Sequence, residues 1–324
     1  MNILVTGGAG FIGSHLVERL LKDGHNVVVV DKSEVNIARN LKDVSCKLVN
    51  KDVNQVTEND LPPIDAIVHL AALADIVPSI ENPKEYYHAN VNGTMAMLEL
   101  ARRVGVKKFV YAASGSCYGD KPPVPTKEDA PIKCKYPYAM TKWLGETLAM
   151  HYNQVYKLPV ISLRLFNVFG PRSRTTGAYG AVFGVFLKQK LENKPCTIVG
   201  DGYQSRDFVF VHDVVDAFTK ALMSDKSGEI YNTGSGAHTT IKTLAQNLGF
   251  NSFEYVKDRP GEPKLTLASI GKAQKDLGWN PATPFSKGCK IMLENIDYWK
   301  DAPLWDKKSI EKATKTWFDY MGSS

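Results

Sequence analysis

Cysteine is scarce and badly placed for crosslinking. Cys46, Cys117, Cys134, Cys196 and Cys289 are widely separated, odd in number and form no C-x-x-C pair. That spacing argues against a disulfide framework or a zinc site, so no metal is expected, and it predicts a reducing, cytoplasmic home. Long apolar runs are missing too. None approaches the roughly 20 residues that span a bilayer, and a first strand expected from Asn2 leaves no room for a signal peptide. Blocks of one charge sign are also absent, since 40 Lys and Arg are scattered among 34 Asp and Glu, for a net charge of +6. This mild excess points away from nucleic acid and membrane surfaces, and at most toward a bound small phosphate. No internal repeat or low-complexity segment is found. The 324 residues, 44% of them hydrophobic, suffice for one large core or for a large and a small one.

What is present is concentrated at the start. Ile3–Val5 is a short apolar run, glycines come next at Gly7, Gly10 and Gly13, and an amphipathic stretch runs from Phe11 to Leu21. Strand, glycine turn and helix in that order suit a nucleotide's phosphates. Glycines let the turn close and the backbone approach a pyrophosphate, which sits at the helix N-terminus where N–H groups and the dipole favour anions. A second apolar run, Val27–Val30, ends in Asp31. A carboxylate there accepts from both ribose hydroxyls of an adenosine and repels a 2′-phosphate, which favours NAD over NADP. Lys32 and Arg39 lie close behind and soften that repulsion.

Strand-like and helix-like segments then alternate. Cys46–Asn50, Ala66–Leu70, Lys108–Ala112 and Val160–Leu165 read as strands, and Pro83–Val104 and Pro137–Tyr156 as helices. This alternation predicts a parallel, doubly wound α/β sheet with helices on both faces, binding its ligand beyond the carboxyl ends of the strands. From Gly170 the pattern loosens. A loop is expected over Gly170–Gly177, a helix over Ala181–Glu192, short strands at Cys196–Val199 and Phe208–Val211, and a helix over His212–Ser224. Asp258–Lys264 reads as a loop before a charged, Trp-bearing helical tail, and the second half as a smaller discontinuous cap.

Tyr138 and Lys142 lie four residues apart, hence on one helix face. A phenol titrates near 10 and needs help to act as a base at neutral pH; a neighbouring ammonium and a positively charged nicotinamide supply it. Lys142 also suits the nicotinamide ribose. Ser114, after Ala112 and Ala113, is placed to donate to a reacting oxygen or to relay a proton.

Together these residues resemble the extended short-chain dehydrogenase/reductase superfamily, in particular its NAD-dependent nucleotide-sugar epimerases and dehydratases, with a pattern similar to UDP-glucose (UDP-galactose) 4-epimerases. The resemblance runs along essentially the whole chain. It is carried by Thr6-Gly-Gly-Ala-Gly-Phe-Ile-Gly13, Asp31, Asp52-Val53, His69-Leu-Ala-Ala72, Asn90-Val-x-Gly93-Thr94, Ser114 with Tyr118-Gly119, Tyr138-x-x-x-Lys142 and Arg164-x-Phe-Asn-Val-Phe-Gly-Pro-Arg172. It implies a Rossmann-type domain over 1–169 with 197–233, and a nucleotide-sugar-binding cap over 170–196 with 234–324. It implies that Phe11 and Ile12 cover the pyrophosphate, and that Asp52 and Val53 flank the adenine. Leu70, Ala71 and Ala72 would line the cofactor, Lys32 would lie beside it, and Asn90 would support that site. Ser114, Tyr138 and Lys142 would be the catalytic trio. The sugar nucleotide would meet Ser114, Ser116, Tyr138 and Asn167, with Arg206 and Arg259 on its diphosphate, where a planar guanidinium fits best. A homodimer is implied through helices near 92–104 and 139–155, with Met95, Met97, Leu98, Trp143, Leu144 and Leu148 as apolar surface; the same residues suit packing on the protein's own sheet.

The resemblance also sorts the reactions. Dehydratases of this kind carry an Asp-Glu pair after the catalytic hydroxyl, and decarboxylases keep an acid nearby, whereas here stand Gly115, Ser116 and Cys117. Reductases that release product usually use NADPH, which Asp31 disfavours. The expectation is a 4-epimerase that oxidises C4 transiently to a 4-keto sugar and returns the hydride to the opposite face. Its substrates would be UDP-glucose and UDP-galactose, or UDP-GlcNAc and UDP-GalNAc, since counting from Arg259 puts Thr266 where epimerases wall the 2-substituent. A dTDP- or GDP-linked sugar stays open, as do another nucleotide-sugar-modifying activity and a non-catalytic NAD-binding sensor.

Overall fold

The computed structural model describes residues 1–173 and 182–322. Seven parallel strands form the main sheet: β1 (Asn2–Thr6), β2 (Asn26–Asp31), β3 (Lys47–Asn50), β4 (Ala66–His69), β5 (Lys108–Ser114), β6 (Val160–Leu165) and, later in the chain, β11 (Glu229–Thr233). Their order is β3-β2-β1-β4-β5-β6-β11. The inner strands β1, β4, β5 and β6 are buried almost along their whole length because both faces are covered. One face packs on the helices Phe11–Lys22 and Val211–Met223 through Leu16, Leu20, Val214 and Phe218, and the other on the helix Gly93–Val104 through Met97 and Leu98. The chain leaves β1 toward β2 on one side and β4 lies on the other, so the crevice for a ligand opens at the carboxyl ends of β1 and β4.

The remaining strands are short and paired in twos. They are β7 (Asn167–Phe169) with β10 (Phe208–Phe210), β9 (Ser205–Arg206) with β12 (Thr239–Thr240), and β8 (Cys196–Val199) with β13 (Phe253–Val256). A second core joins β8, β10 and β13 to the helices Val182–Leu191, Ile241–Asn247 and Phe285–Glu294. Phe169, Phe183, Phe208, Phe210 and Phe285 form its aromatic centre. Of the stretch 197–233, the helix Val211–Met223 and β11 join the main sheet, while β8 pairs outside it.

The doubly wound parallel sheet is therefore present as expected, with local differences. The expected helix Pro83–Val104 is broken into Pro83–Tyr87, a π turn His88–Asn92 and Gly93–Val104. Strand β11 is not evident from the sequence, because Glu229-Ile-Tyr-Asn-Thr233 is half polar. The expected loop from Gly170 is described only to Ser173, and Ala181 also lies outside the described residues. Met97 and Leu98, candidates for a partner surface, are wholly buried against this chain's own sheet. Among the described residues no helix is long and apolar enough to cross a membrane, no group of His, Cys, Asp and Glu could hold a metal, and the five cysteines are free.

Candidate active site

The turn after β1 is built by its glycines. Gly7 has a left-handed φ of +68° and donates to the Val30 carbonyl at 2.8 Å; a β-carbon on it would stand 2.8 Å from the Ala71 nitrogen. A β-carbon on Gly13 would collide with the Gly7 carbonyl. Gly10 is the N-cap of the helix Phe11–Lys22, and no side chain bonds to that terminus. Free helical N–H groups beside a turn of glycines and one buried alanine make a cradle that fits the phosphates of a dinucleotide. Phe11 and Ile12 are partly buried against the second core.

Asp31, at the end of β2, accepts from Ala9 N–H at 3.0 Å and from Ser33 N–H at 2.9 Å. Burial pushes its carboxyl up from the ordinary value and the backbone bonds oppose this. Lys32 turns to Asp52 at 2.8 Å. Burial would raise the Asp52 carboxyl, but Lys32 and the donors of Asn54 outweigh it and bring it to about 2. Arg39 lies over the Tyr298 ring, 3.5 Å from its centroid, and donates to the Tyr298 carbonyl. Lys32 still acts on Asp31 through its charge and its backbone N–H, while its ammonium pairs with Asp52. Val53 is buried, its Cγ2 2.8 Å from where a β-carbon on Gly93 would be.

The segment after β4 is held by a polar chain whose members Thr6, His69, Asn90 and Thr94 stand in the sequence motifs, although the sequence does not show how they join. Thr6 Oγ1 lies 2.7 Å from His69 Nδ1, and His69 Nε2 is 3.1 Å from Thr94 Oγ1. Burial, reinforced by Lys142, lowers His69 to about 3, so the ring is neutral. Asn90, carried inward on the π turn, accepts from Leu73 N–H at 2.8 Å and donates to the Leu73 carbonyl and to Thr141 Oγ1, both at 3.0 Å. Thr141 in turn donates to the Tyr138 carbonyl at 3.0 Å. Asn90 therefore ties the loop bearing Leu70, Ala71 and Ala72 to the helix bearing Tyr138.

That helix, Pro137–Tyr156, and the end of β5 bring the next three residues together. Tyr138 is half-buried; burial raises its phenol above the ordinary value, and the nearby Ser114 hydroxyl opposes this. Ser114 Oγ is 2.8 Å from Ser116 Oγ and accepts from Ser116 N–H at 3.2 Å. Lys142 is buried, with Nζ 4.5 Å from the Tyr111 ring centroid. Burial lowers it from 10.5 to about 7, against the pull of Glu146 one turn along. Glu146 is itself buried in an ion pair with Arg164 at 2.6 Å and accepts from Ser162 at 2.8 Å. Arg164 also donates to Tyr118 Oη at 2.7 Å, which fastens the turn after Ser114 to the same network. A pair this enclosed depends on the further hydrogen bonds that Ser162, Tyr118 and the Glu128 carbonyl add to it.

At the cap, Arg206 and Arg259 share one carboxylate, Glu262, at 3.1 and 2.7 Å. Burial lowers the Arg206 guanidinium and Glu262 offsets it. Asn167, exposed on β7, accepts from Thr266 Oγ1 at 3.4 Å, and Thr266 accepts from Asp207 N–H at 3.0 Å. Fully buried Asp207 also gathers Ala268 N–H at 2.9 Å, Ser235 Oγ at 2.7 Å and Gly236 N–H at 3.2 Å, fixing the base from which Arg206 projects. Glu262 and Asp207 stand close to Arg259 and Arg206 in the sequence, but their roles are not visible there, because partners such as Thr266, Ala268 and Arg206 lie far along the chain.

Comparison with known proteins points the same way. The sequence model of the NAD dependent epimerase/dehydratase family matches residues 3–234. The UDP-glucose 4-epimerase of Mycolicibacterium smegmatis is 36% identical, over 91% of this chain and 98% of its own. The dTDP-D-glucose 4,6-dehydratase of Homo sapiens is 30% identical, over 96% and 93%. The UDP-glucuronic acid 4-epimerase of Bacillus cereus, solved with UDP-glucuronic acid and NAD, superposes with a TM-score of 0.84 at 32% identity, over 92% of this chain and 99% of its own.

Proposed function

The chain belongs to the NAD dependent epimerase/dehydratase family, and from that premise we propose that it interconverts UDP-glucose and UDP-galactose by epimerisation at C4. The observation that carries the choice is the pair of residues next to Ser114. Expelling water from C6 requires an acid there, and Gly115 and Ser116 supply none. A β-carbon on Gly115 would already stand 3.1 Å from the Phe166 ring, so the position is also tight.

In this reading Gly7, Gly10 and Gly13 with the N-terminus of Phe11–Lys22 hold the pyrophosphate of NAD. Asp31 takes the adenosine ribose, and Leu70 and Ala71 line the far side of the turn. When bound there, NAD supplies the acceptor for the C4 hydrogen, its return, and a positive charge beside Tyr138. Tyr138 takes the proton of the C4 hydroxyl and later gives it back. Its resting phenol is raised by burial, so its activity as a base depends on that charge and on Lys142. Ser114 donates to the same oxygen, held ready by Ser116. Arg206 and Arg259 grip the diphosphate and Asn167 stands at its sugar side. Thr266, beside Asn167, is a small side chain that would leave room for a 2-acetamido group at the sugar's second carbon, which keeps UDP-GlcNAc and UDP-GalNAc as the second substrate pair. A homodimer through the exposed side of the helices Gly93–Val104 and Pro137–Tyr156 belongs to the same proposal; it is supported by Met95 at 38% and Tyr156 at 49% exposure.

A panel of UDP-, dTDP- and GDP-sugars with NMR of the product tests this. The expected product is the C4 epimer of a UDP-sugar, and Tyr138→Phe should lower kcat by roughly a thousandfold while UDP still binds. A 4-keto-6-deoxy sugar or a pentose as product, or a Tyr138→Phe variant as active as the wild type, would refute it.

A further inference from the structure

The last helix, Lys315–Met321, touches both sides of the candidate site. Trp317 is 1% exposed and donates its indole N–H to the Pro260 carbonyl at 2.7 Å. The Arg259 guanidinium lies 5.8 Å from the Trp317 ring centroid, and Lys257 Nζ lies 5.0 Å from that of Phe318. The Met321 methyl packs on Gly261, whose φ is +74° and where a β-carbon would come within 2.9 Å of it. All four contacts fall on the loop that carries Arg259 and Glu262. On the other side, Thr316 donates to Glu81 at 3.1 Å, and the Trp317 ring centroid is 6.1 Å from that of Tyr136. Tyr136 is the N-cap residue of the helix that bears Tyr138.

We propose that this helix braces the cap loop against the sheet domain, and that Trp317 is a positioning residue for Arg259. It sets affinity for the nucleotide diphosphate and leaves the chemistry at Tyr138 alone. The inference rests on reading Arg206 and Arg259 as diphosphate ligands. A free arginine loses rotamer freedom when it clamps an anion. One already held near an indole and paired with Glu262 has lost part of it beforehand, and that preorganisation appears as affinity. The Trp317 N–H fixes the backbone immediately after Arg259, so ring and loop move together.

The test measures UDP affinity by calorimetry, and KM and kcat with UDP-glucose, on the full-length enzyme with its NAD. Trp317→Ala should weaken UDP binding and raise KM about tenfold, with kcat within about twofold of wild type. Trp317→Phe keeps a ring and loses the N–H, and should fall between the two. Tyr320→Ser, on the same helix but 71% exposed, should change neither quantity. Wild-type KM and UDP affinity in a folded Trp317→Ala, or a loss confined to kcat, overturns the proposal. If Trp317→Ala does not fold, Trp317→Phe decides: a raised KM supports it and a wild-type KM overturns it. Arg259→Ala separates the two levels. If UDP affinity survives that change, the diphosphate reading itself fails; if affinity is lost there but not at Trp317, only the brace fails.

Discussion

Lys142 and Glu146 stand one helical turn apart, and their surroundings treat them differently. Glu146 has Arg164 and Ser162 as partners, while Lys142 faces the Tyr111 ring and is left with burial as its dominant influence. In the folded protein Lys142 loses its proton near 7, against 10.5 for an ordinary lysine. Between those values the unfolded chain holds one more proton, so stability from this group rises with pH. Below about 7 both states are protonated and the cost of the buried ammonium is present in full. Lys142→Met abolishes that titration. The stability of wild type relative to Lys142→Met, from urea unfolding of nucleotide-free protein, should therefore climb with a slope approaching ~1.4 kcal/mol per pH unit between about pH 7.5 and 9. A difference that stays flat across that range contradicts the assignment. That Tyr138 and Lys142 share a helix was legible in the sequence, because a separation of four residues on a helix is a statement about space. Glu146 with Arg164, and Arg206 with Glu262, were not. Those contacts span 18 and 56 residues and exist only once β6 and the cap loop are in place.

At the scale of elements, the glycine turn and the first helix were readable because each glycine answers a local steric demand. The π turn His88–Asn92 was not, since no proline or glycine lies within it and the Gly93 that follows it stays helical. Its effect is to carry Asn90 inward, where one amide bonds the Leu73 backbone and Thr141. Strand β11 escaped because its polar residues work across the sheet: buried Asn232 accepts from Tyr118 at 2.7 Å and donates to the Thr126 carbonyl at 2.9 Å. The paired helices Gly93–Val104 and Pro137–Tyr156 were expected to offer apolar surface, and burial divides those residues. Met97 and Leu98 serve the core, whereas Met95 touches the Tyr152 hydroxyl at 3.1 Å and stays partly exposed beside Tyr156. Light scattering should give twice the chain mass for the wild type. Met95→Glu places a carboxylate one turn from Glu99 in that face and should shift the species to the monomer. A monomeric wild type, or a Met95→Glu variant that remains a full dimer, removes this face from consideration.

At the scale of the whole molecule, the sheet offers a crevice at the carboxyl ends of β1 and β4, and the second core stands Arg206, Arg259 and Asn167 beyond it. Ser114 and Tyr138 meet at the end of β5, so under the proposed function a sugar nucleotide held by the arginines would present its sugar to a phenol and a hydroxyl. Such a site oxidises and reduces the same carbon without exchanging anything with water. The most direct measurement traces UDP-glucose carrying deuterium at C4 through turnover in ordinary water. The account predicts UDP-galactose with the deuterium still at C4 and no net accumulation of NADH. Loss of the label to solvent, or a product that stops at the ketone, would contradict it.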